Sequence, residues 1–278
     1  MPKVLNEAAI KQYKNDGYFS PVEIISVAQT EGLRAQLEAF ESQQGHPIEG
    51  SQRTKAHLLF KWIDDLMRHR VLADAVEDLI GPDILCWNTA FWIKEAQTPT
   101  YVGWHQDLQY WGLDNDKLVS VWVALSPATA ESGCMKVIPG SHKQLLPHAE
   151  TYHDDNMLTR GQEITAVDDE TRTVSMPLKP GQASFHNVKS AHGSGPNISD
   201  DRRIGISMHY MPTHTKQMLS RWDSAALVRG QDLYNNFVHT PIPTCDFDPE
   251  AVAFHKRASD TLREIVYKDA EQEHRPTL

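Results

Sequence analysis

Apolar residues recur at helical spacing through the first eighty positions. Leu33, Leu37 and Phe40 fall about one turn apart behind Ser26-Val27-Ala28-Gln29, where a serine followed three residues later by glutamine marks a capped helix start. An earlier helix, Asn6 to Asp16, ends at Gly17; a later one carries Leu72, Val76, Leu79 and Ile80 and stops at Gly81-Pro82. From Asp83 the pattern changes to short runs rich in aromatic and β-branched residues. They are Ile84 to Lys94, Leu118 to Ser126, Met135 to Ile138, Thr173 to Leu178, Gln182 to Asn187 and Ile204 to Met211. Pro139-Gly140, Pro180-Gly181 and Gly195-Pro196-Asn197 punctuate them as turns. Strands without regularly interleaved helices argue against a parallel α/β sheet and for a sandwich or jelly roll. The expected fold is mainly β with flanking helices, in one domain over residues 1–278. Its parts are a helical segment over about 1–82, a core over about 83–215 and a C-terminal amphipathic helix over about 249–270. The polar, acid-rich stretch 148–170 reads as an insertion or lid.

Composition narrows the functional classes. With 278 residues, 40% of them hydrophobic, the chain can bury a full core. A net charge of -10 speaks against nucleic-acid or anionic-membrane partners, although local basic pockets are compatible with it. The polar start MPKVLNEAAIKQYKNDGYF lacks a secretory apolar region, and no apolar run is long enough for a bilayer, so a soluble cytoplasmic protein is expected. Cys86, Cys134 and Cys245 are scattered and fit free thiols better than a disulfide framework or a zinc site.

His-x-Asp is a compact source of two metal ligands, because residues i and i+2 of an extended segment point to one side. A second histidine completes a set of three on one face of an octahedron, leaving the opposite positions open. The tripeptide occurs twice. His105-Gln106-Asp107 lies between Tyr101-Val102-Gly103-Trp104 and Leu108-Gln109-Tyr110-Trp111, a setting suited to a pocket wall. His153-Asp154-Asp155 lies in the acidic stretch and reads as a solvated loop. His142, His186, His192 and His209 are the candidates for the third ligand.

The segment Phe185 to Arg203 carries more. His192 opens an H-x-S-x-x-N-x-S run with Ser194 and Asn197 in place, and Arg203 stands eleven residues after it; none of the other three histidines has an arginine at that distance. With Gly133-Cys134-Met135-Lys136-Val137-Ile138-Pro139-Gly140-Ser141-His142-Lys143, this segment resembles the phytanoyl-CoA dioxygenase family from about Leu5 to Pro212. The resemblance implies a double-stranded β-helix (cupin-like) form of the jelly roll and an iron(II) oxygenase using 2-oxoglutarate and O2. It matches His105, Asp107 and His192 to the metal ligands and Arg203 to the partner of the C5 carboxylate of 2-oxoglutarate. Ser194 matches a hydroxyl donor to the same molecule; Asn88 and Trp122 match positions at its other end and flank. A guanidinium suits this task because its planar fork meets a carboxylate and cannot lose its proton. Arg202 competes with Arg203, but adjacent strand residues face opposite sides, so one alone can point inward. His142 reads as a turn residue and His209 as a packing or cavity residue.

The carboxylate at Asp107 favours hydroxylation over halogenation, since related halogenases have a small residue there. Substrate candidates are Tyr110 and Trp111, with Trp104, as pocket walls and Arg160, Lys55 and His57 as clamps for an anionic group. The resemblance is to a bacterial branch that hydroxylates small polar metabolites, aminoethylphosphonate-type compounds among them. The alternatives are an acyl-thioester or natural-product hydroxylase, or a cupin-like metal-dependent enzyme that is no oxygenase.

Overall fold

The computed structural model describes residues 2–167 and 172–271. In chain order the elements are α1 (Glu7–Asp16), β1 (Tyr18–Glu23), α2 (Val27–Gln44), α3 (Lys61–Met67), α4 (Arg70–Ile80), β2 (Ile84–Lys94), β3 (Val102–His105) and β4 (Val119–Ala124). There follow β5 (Lys136–Val137), β6 (His148–Glu150), β7 (Gln162–Ile164), β8 (Val174–Ser175), β9 (Gln182–Asn187), β10 (His192–Ser194), β11 (Arg203–Pro212), β12 (Ser224–Arg229), β13 (Val238–His239) and α5 (Pro249–Val266). The larger sheet has the order β1-β9-β4-β11-β2-β12-β13 and the smaller one β3-β10-β5-β8. Core strands pass from one sheet to the other along the chain, which is the winding of a jelly roll.

Alternation along the strands sorts two environments. Val119, Val121 and Val123 of β4, Phe185 of β9, and Ile204, Ile206 and Met208 of β11 join the core shared with Tyr13, Leu37, Ile63, Leu72 and Val76 of the helical layer. Each such side chain, fully buried, contributes roughly 1.5–3 kcal/mol. The residues between them, Ser120 and Trp122 of β4, Ser184 and His186 of β9, and Arg203, Ser207 and His209 of β11, are buried too but face the inside of the roll. One face of the sheet is therefore structural and the other chemical. Gly205 lies on the inner face, where an added Cβ would lie 1.9 Å from Cζ2 of Trp122. Gly205→Ala is expected to destabilise by about 1–3 kcal/mol or more through overpacking, read as a lowered unfolding midpoint.

The predicted helices and strands are largely where the pattern puts them. Asn6 and Ser26 cap α1 and α2, and Ser26 with Gln29 forms the capping box. Three expectations need correction. The first eighty residues are not all helical, because β1 pairs with β9 at the sheet edge, where Pro21 costs no ladder bond. The core does not end near 215, since β12 pairs with β2. The stretch 148–170, expected as an insertion or lid, holds the β6–β7 hairpin, while its last residues, 168–170, lie outside the described ones. The C-terminal helix stops at Val266 rather than 270, with Asp248 as its N-cap. Cys86 and Cys134 are buried and Cys245 exposed, all three as free thiols. Among the described residues no helix is long and apolar enough to cross a membrane.

Candidate active site

Three side chains converge at the open end of the smaller sheet. β3 delivers His105; Gln106 stays extended (φ -121°, ψ 123°), so Asp107 returns to the same side. Gln106 points away and holds the loop beyond β5, donating to the Gln144 carbonyl at 2.9 Å and accepting from the Leu146 amide at 2.7 Å. β10 pairs with β3 in a register that sets His192 opposite His105. The two ring centroids are 4.1 Å apart, and Asp107 Oδ1 lies 3.3 Å from His105 Nε2 and 4.0 Å from His192 Nε2. One ligand atom from each of the three residues falls within 4.8 Å of the others, in a buried setting.

The surroundings prepare these atoms for a cation. His105 Nδ1 lies 2.9 Å from the Gly103 carbonyl and His192 Nδ1 3.0 Å from the Ser190 carbonyl, contacts an imidazole makes as N–H donor. That tautomer leaves both Nε2 lone pairs free on the Asp107 side. Ser120 donates to Asp107 Oδ2 at 2.8 Å and stands 3.0 Å from His209 Nδ1. Burial alone would raise the Asp107 carboxyl, but the rings of His192, His105 and His186 hold it well below the usual carboxylate range. Burial, with the rings of His105 and His186, likewise keeps His192 well below the ordinary imidazole value, so it stays neutral. Two imidazoles and one carboxylate suit ferrous iron, so this donor set fits the metal. His186 stands beside the triad, Nε2 3.6 Å from Asp107 Oδ2, with neither ring nitrogen hydrogen-bonded among the described residues.

Two cavities meet at the triad. The inner one is lined by Trp122, Ser194 and Arg203 as well as by His105, Asp107 and His192. Arg203 is 3% exposed; its NH1 donates to the Gly133 carbonyl at 2.7 Å, its Nε has no acceptor, and its guanidinium carbon lies 5.2 Å from the Trp122 ring centre. Among the described residues no carboxylate pairs with it. Burial pulls it down to about 10, which leaves it charged at neutral pH. Arg202 faces outward and binds Glu41 and Glu95. Alternation along the strand thus separates the two arginines as expected.

The outer cavity, about 170 Å³, shares His105, Asp107, His209 and Trp92 with the inner one. Its walls include Trp87, Asn88, Tyr110 and Trp111, so Tyr110 and Trp111 reach a pocket, whereas Asn88, matched above to the 2-oxoglutarate site, lines this outer cavity and not the inner one. Asn88 is also tied to the backbone, accepting from the Lys55 amide at 2.9 Å. Trp104 lines neither cavity. The three residues expected to clamp an anion do not. Lys55 is buried, donating to the Trp87 and Ser224 carbonyls, with Asp223 at 3.8 Å. His57 is buried against Thr89. Arg160 binds Glu150 and the carbonyls of Val266 and Lys268, which fastens the β6–β7 hairpin to the end of α5. The charges of Lys55 and Arg160 are consumed by carbonyls and carboxylates elsewhere in the chain, and the Nδ1 edge of His57 by the Thr89 hydroxyl. His142 bonds to the Lys14 carbonyl, as a turn residue would. The His153 copy of the tripeptide closes a local turn onto the Asp155 amide.

Sequence reasoning misses Met157, Leu158 and Gln162 around the hairpin and Ser259, Leu262 and Val266 of α5, all of which line the outer cavity. The apolar stripe of α5 is visible in the sequence, but not the surface it covers. Lys94 escapes as well, its only signal being a lysine that closes an apolar strand.

A family model described as Phytanoyl-CoA dioxygenase (PhyH) matches residues 4–205. The probable alpha-ketoglutarate-dependent hypophosphite dioxygenase of Stutzerimonas stutzeri is 30% identical over 176 residues, covering 62% of this chain and 60% of that protein. The peroxisomal phytanoyl-CoA dioxygenase of Homo sapiens is 28% identical, covering 49% and 41% respectively. The chain thus spans less than two thirds of the length of these relatives. Among solved structures, "non-heme monooxygenase; ThoJ apo" superposes with a TM-score of 0.83 at 32% identity, covering 94% of this chain and 98% of that one.

Proposed function

The chain belongs to the phytanoyl-CoA dioxygenase family, and from that membership we propose that it is an iron(II)- and 2-oxoglutarate-dependent dioxygenase that hydroxylates an aliphatic carbon of a small organic molecule. The observation that carries this reading is the convergence of His105, Asp107 and His192 between two cavities, one of them ending in a buried arginine without a counter-ion among the described residues. A cupin-like enzyme of another class has no use for that arginine.

In this reading His105, Asp107 and His192 hold the metal, and Arg203 with Ser194 holds the far carboxylate of 2-oxoglutarate. Bound iron supplies the redox chemistry: O2 is reduced, 2-oxoglutarate becomes succinate and CO2, and a substrate C–H becomes C–OH. The chain's own contribution is placement. The carbonyls of Gly103 and Ser190 fix the two imidazole tautomers, and Ser120 fixes the carboxylate. Trp122 covers the flank of the inner cavity, and the aromatic walls of the outer one exclude water from the carbon to be oxidised. Ser120→Ala is expected to lower iron affinity about 10- to 100-fold while the protein stays folded, measured by metal titration.

The outer cavity supports a substrate with a mainly apolar body. Trp87, Trp92, Tyr110 and Trp111 with Leu262 and Val266 form its walls, and Asn88 and Gln162 offer amide groups. Among the described residues that line it, the one charged side chain besides Asp107 is Arg263, 47% exposed and bonded to Asp260. An aminoethylphosphonate-type dianion, or the inorganic anion named for the Stutzerimonas relative, would find no buried cation there. A neutral molecule or an ammonium ion over the aromatic faces fits better. Substrate-dependent succinate release, screened over small amines, amino acids, neutral alicyclic compounds, phosphonates and acyl-thioesters, tests this. Turnover with a neutral or cationic compound and none with phosphonates is expected; phosphonates alone giving turnover would refute the substrate class, and no oxygen-dependent succinate from any compound would count against the dioxygenase.

A further inference from the structure

Lys94 ends β2 and pairs in register with Arg203 at the start of β11. Its side chain is fully buried. The ammonium donates to Ser194 Oγ at 2.7 Å, to the Ser194 carbonyl at 3.2 Å and to the Gly195 carbonyl. Among the described residues no carboxylate pairs with it, and its charged neighbour is the Arg203 guanidinium. Two buried basic groups thus stand side by side with no anion beside them among the described residues, an arrangement that is costly with both charged unless something negative enters.

The hydroxyl of Ser194 joins them. It accepts from Lys94 at 2.7 Å and from Arg203 NH1 at 3.5 Å, so both of its acceptor directions are occupied and its own hydrogen is left to donate. Ser194 lines the inner cavity, whereas Lys94 does not. We infer that Lys94 is a positioning residue of the co-substrate site: it turns Ser194 into a fixed donor toward the far carboxylate of a bound 2-oxo diacid. This rests on the reading of the inner cavity as the 2-oxoglutarate site. Burial and the adjacent guanidinium push the Lys94 ammonium down to about 6, while three acceptors favour its charged form. A carboxylate on the other side of Ser194 tips that balance toward the charge.

The test is equilibrium binding to the anaerobic iron(II) protein, with 2-oxoglutarate and with 2-oxopentanoate, which has a methyl group in place of the far carboxylate. Lys94→Met is expected to weaken 2-oxoglutarate binding about tenfold, the scale of one charge-assisted hydrogen bond. Binding of 2-oxopentanoate should change little, which a general loosening of the site would not produce. Ser194→Ala should cost a similar factor, and the double variant no more than either alone, because the lysine acts through the serine. If Lys94→Met does not fold, Lys94→Gln, which removes the charge and keeps a donor, is expected to show a smaller loss confined to 2-oxoglutarate. Wild-type affinity in whichever lysine variant folds, equal losses for both oxo acids, or multiplying losses in the double variant would each overturn the inference. Absence of 2-oxoglutarate binding by the wild-type protein would instead remove the dioxygenase reading beneath it.

Discussion

Asp107→Ala is expected to bring turnover to background, because it deletes the one anion among three buried imidazole rings. A dication at the triad would then face neutral ligands alone, in a site where His105, His186 and His192 already crowd the carboxylate. Removing one partner of a buried charged pair costs on the order of 3–5 kcal/mol, which corresponds to roughly 10²- to 10⁴-fold in metal affinity. Metal titration reads the affinity and succinate release reads the turnover. Undiminished turnover would take Asp107 out of the ligand set. The substitution also frees the Ser120 hydroxyl to bond His209.

The second large effect separates two adjacent arginines. Arg203→Ala should weaken 2-oxoglutarate binding by about 1.5–3 kcal/mol, the range for a hydrogen bond to a charged group, or about ten- to 150-fold. Arg202→Ala should leave binding unchanged and lower stability instead, because it strips Glu41 and Glu95 of their cation at the surface of the helical layer. Calorimetric titration and thermal unfolding give the two readings. Reversed effects would mean that β11 is set one residue out of register, with its chemical and structural faces exchanged.

That register is legible in the residues themselves, because Ile204, Ile206 and Met208 alternate with Arg203, Ser207 and His209, and a strand has period two. The triad is legible only through the context of its tripeptide together with the resemblance of the His192–Arg203 segment to the phytanoyl-CoA dioxygenase family. What stays hidden depends on contacts between residues far apart in the chain. The fates of Lys55 and Arg160 turn on carbonyls of Ser224, Val266 and Lys268, more than a hundred residues away. A cation in a sequence looks the same whether solvent, a ligand or distant carbonyls will meet it. The same holds for α5, whose stripe announces a buried face but not that Leu262 and Val266 will wall a cavity. β1 is disguised by Pro21, tolerated at the edge position where it lies. β12 escapes because its partner, β2, precedes it by well over a hundred residues.

The most direct measurement of the central claim is an anaerobic titration of the iron(II)-loaded protein with 2-oxoglutarate, followed by visible absorption. Chelation of iron by the oxo acid produces a charge-transfer band that neither partner shows alone. A saturable band at one iron per chain is expected, lost in His192→Ala and shifted to higher 2-oxoglutarate concentration in Arg203→Ala. A folded wild-type protein that binds iron yet stays colourless at saturating 2-oxoglutarate would contradict the account.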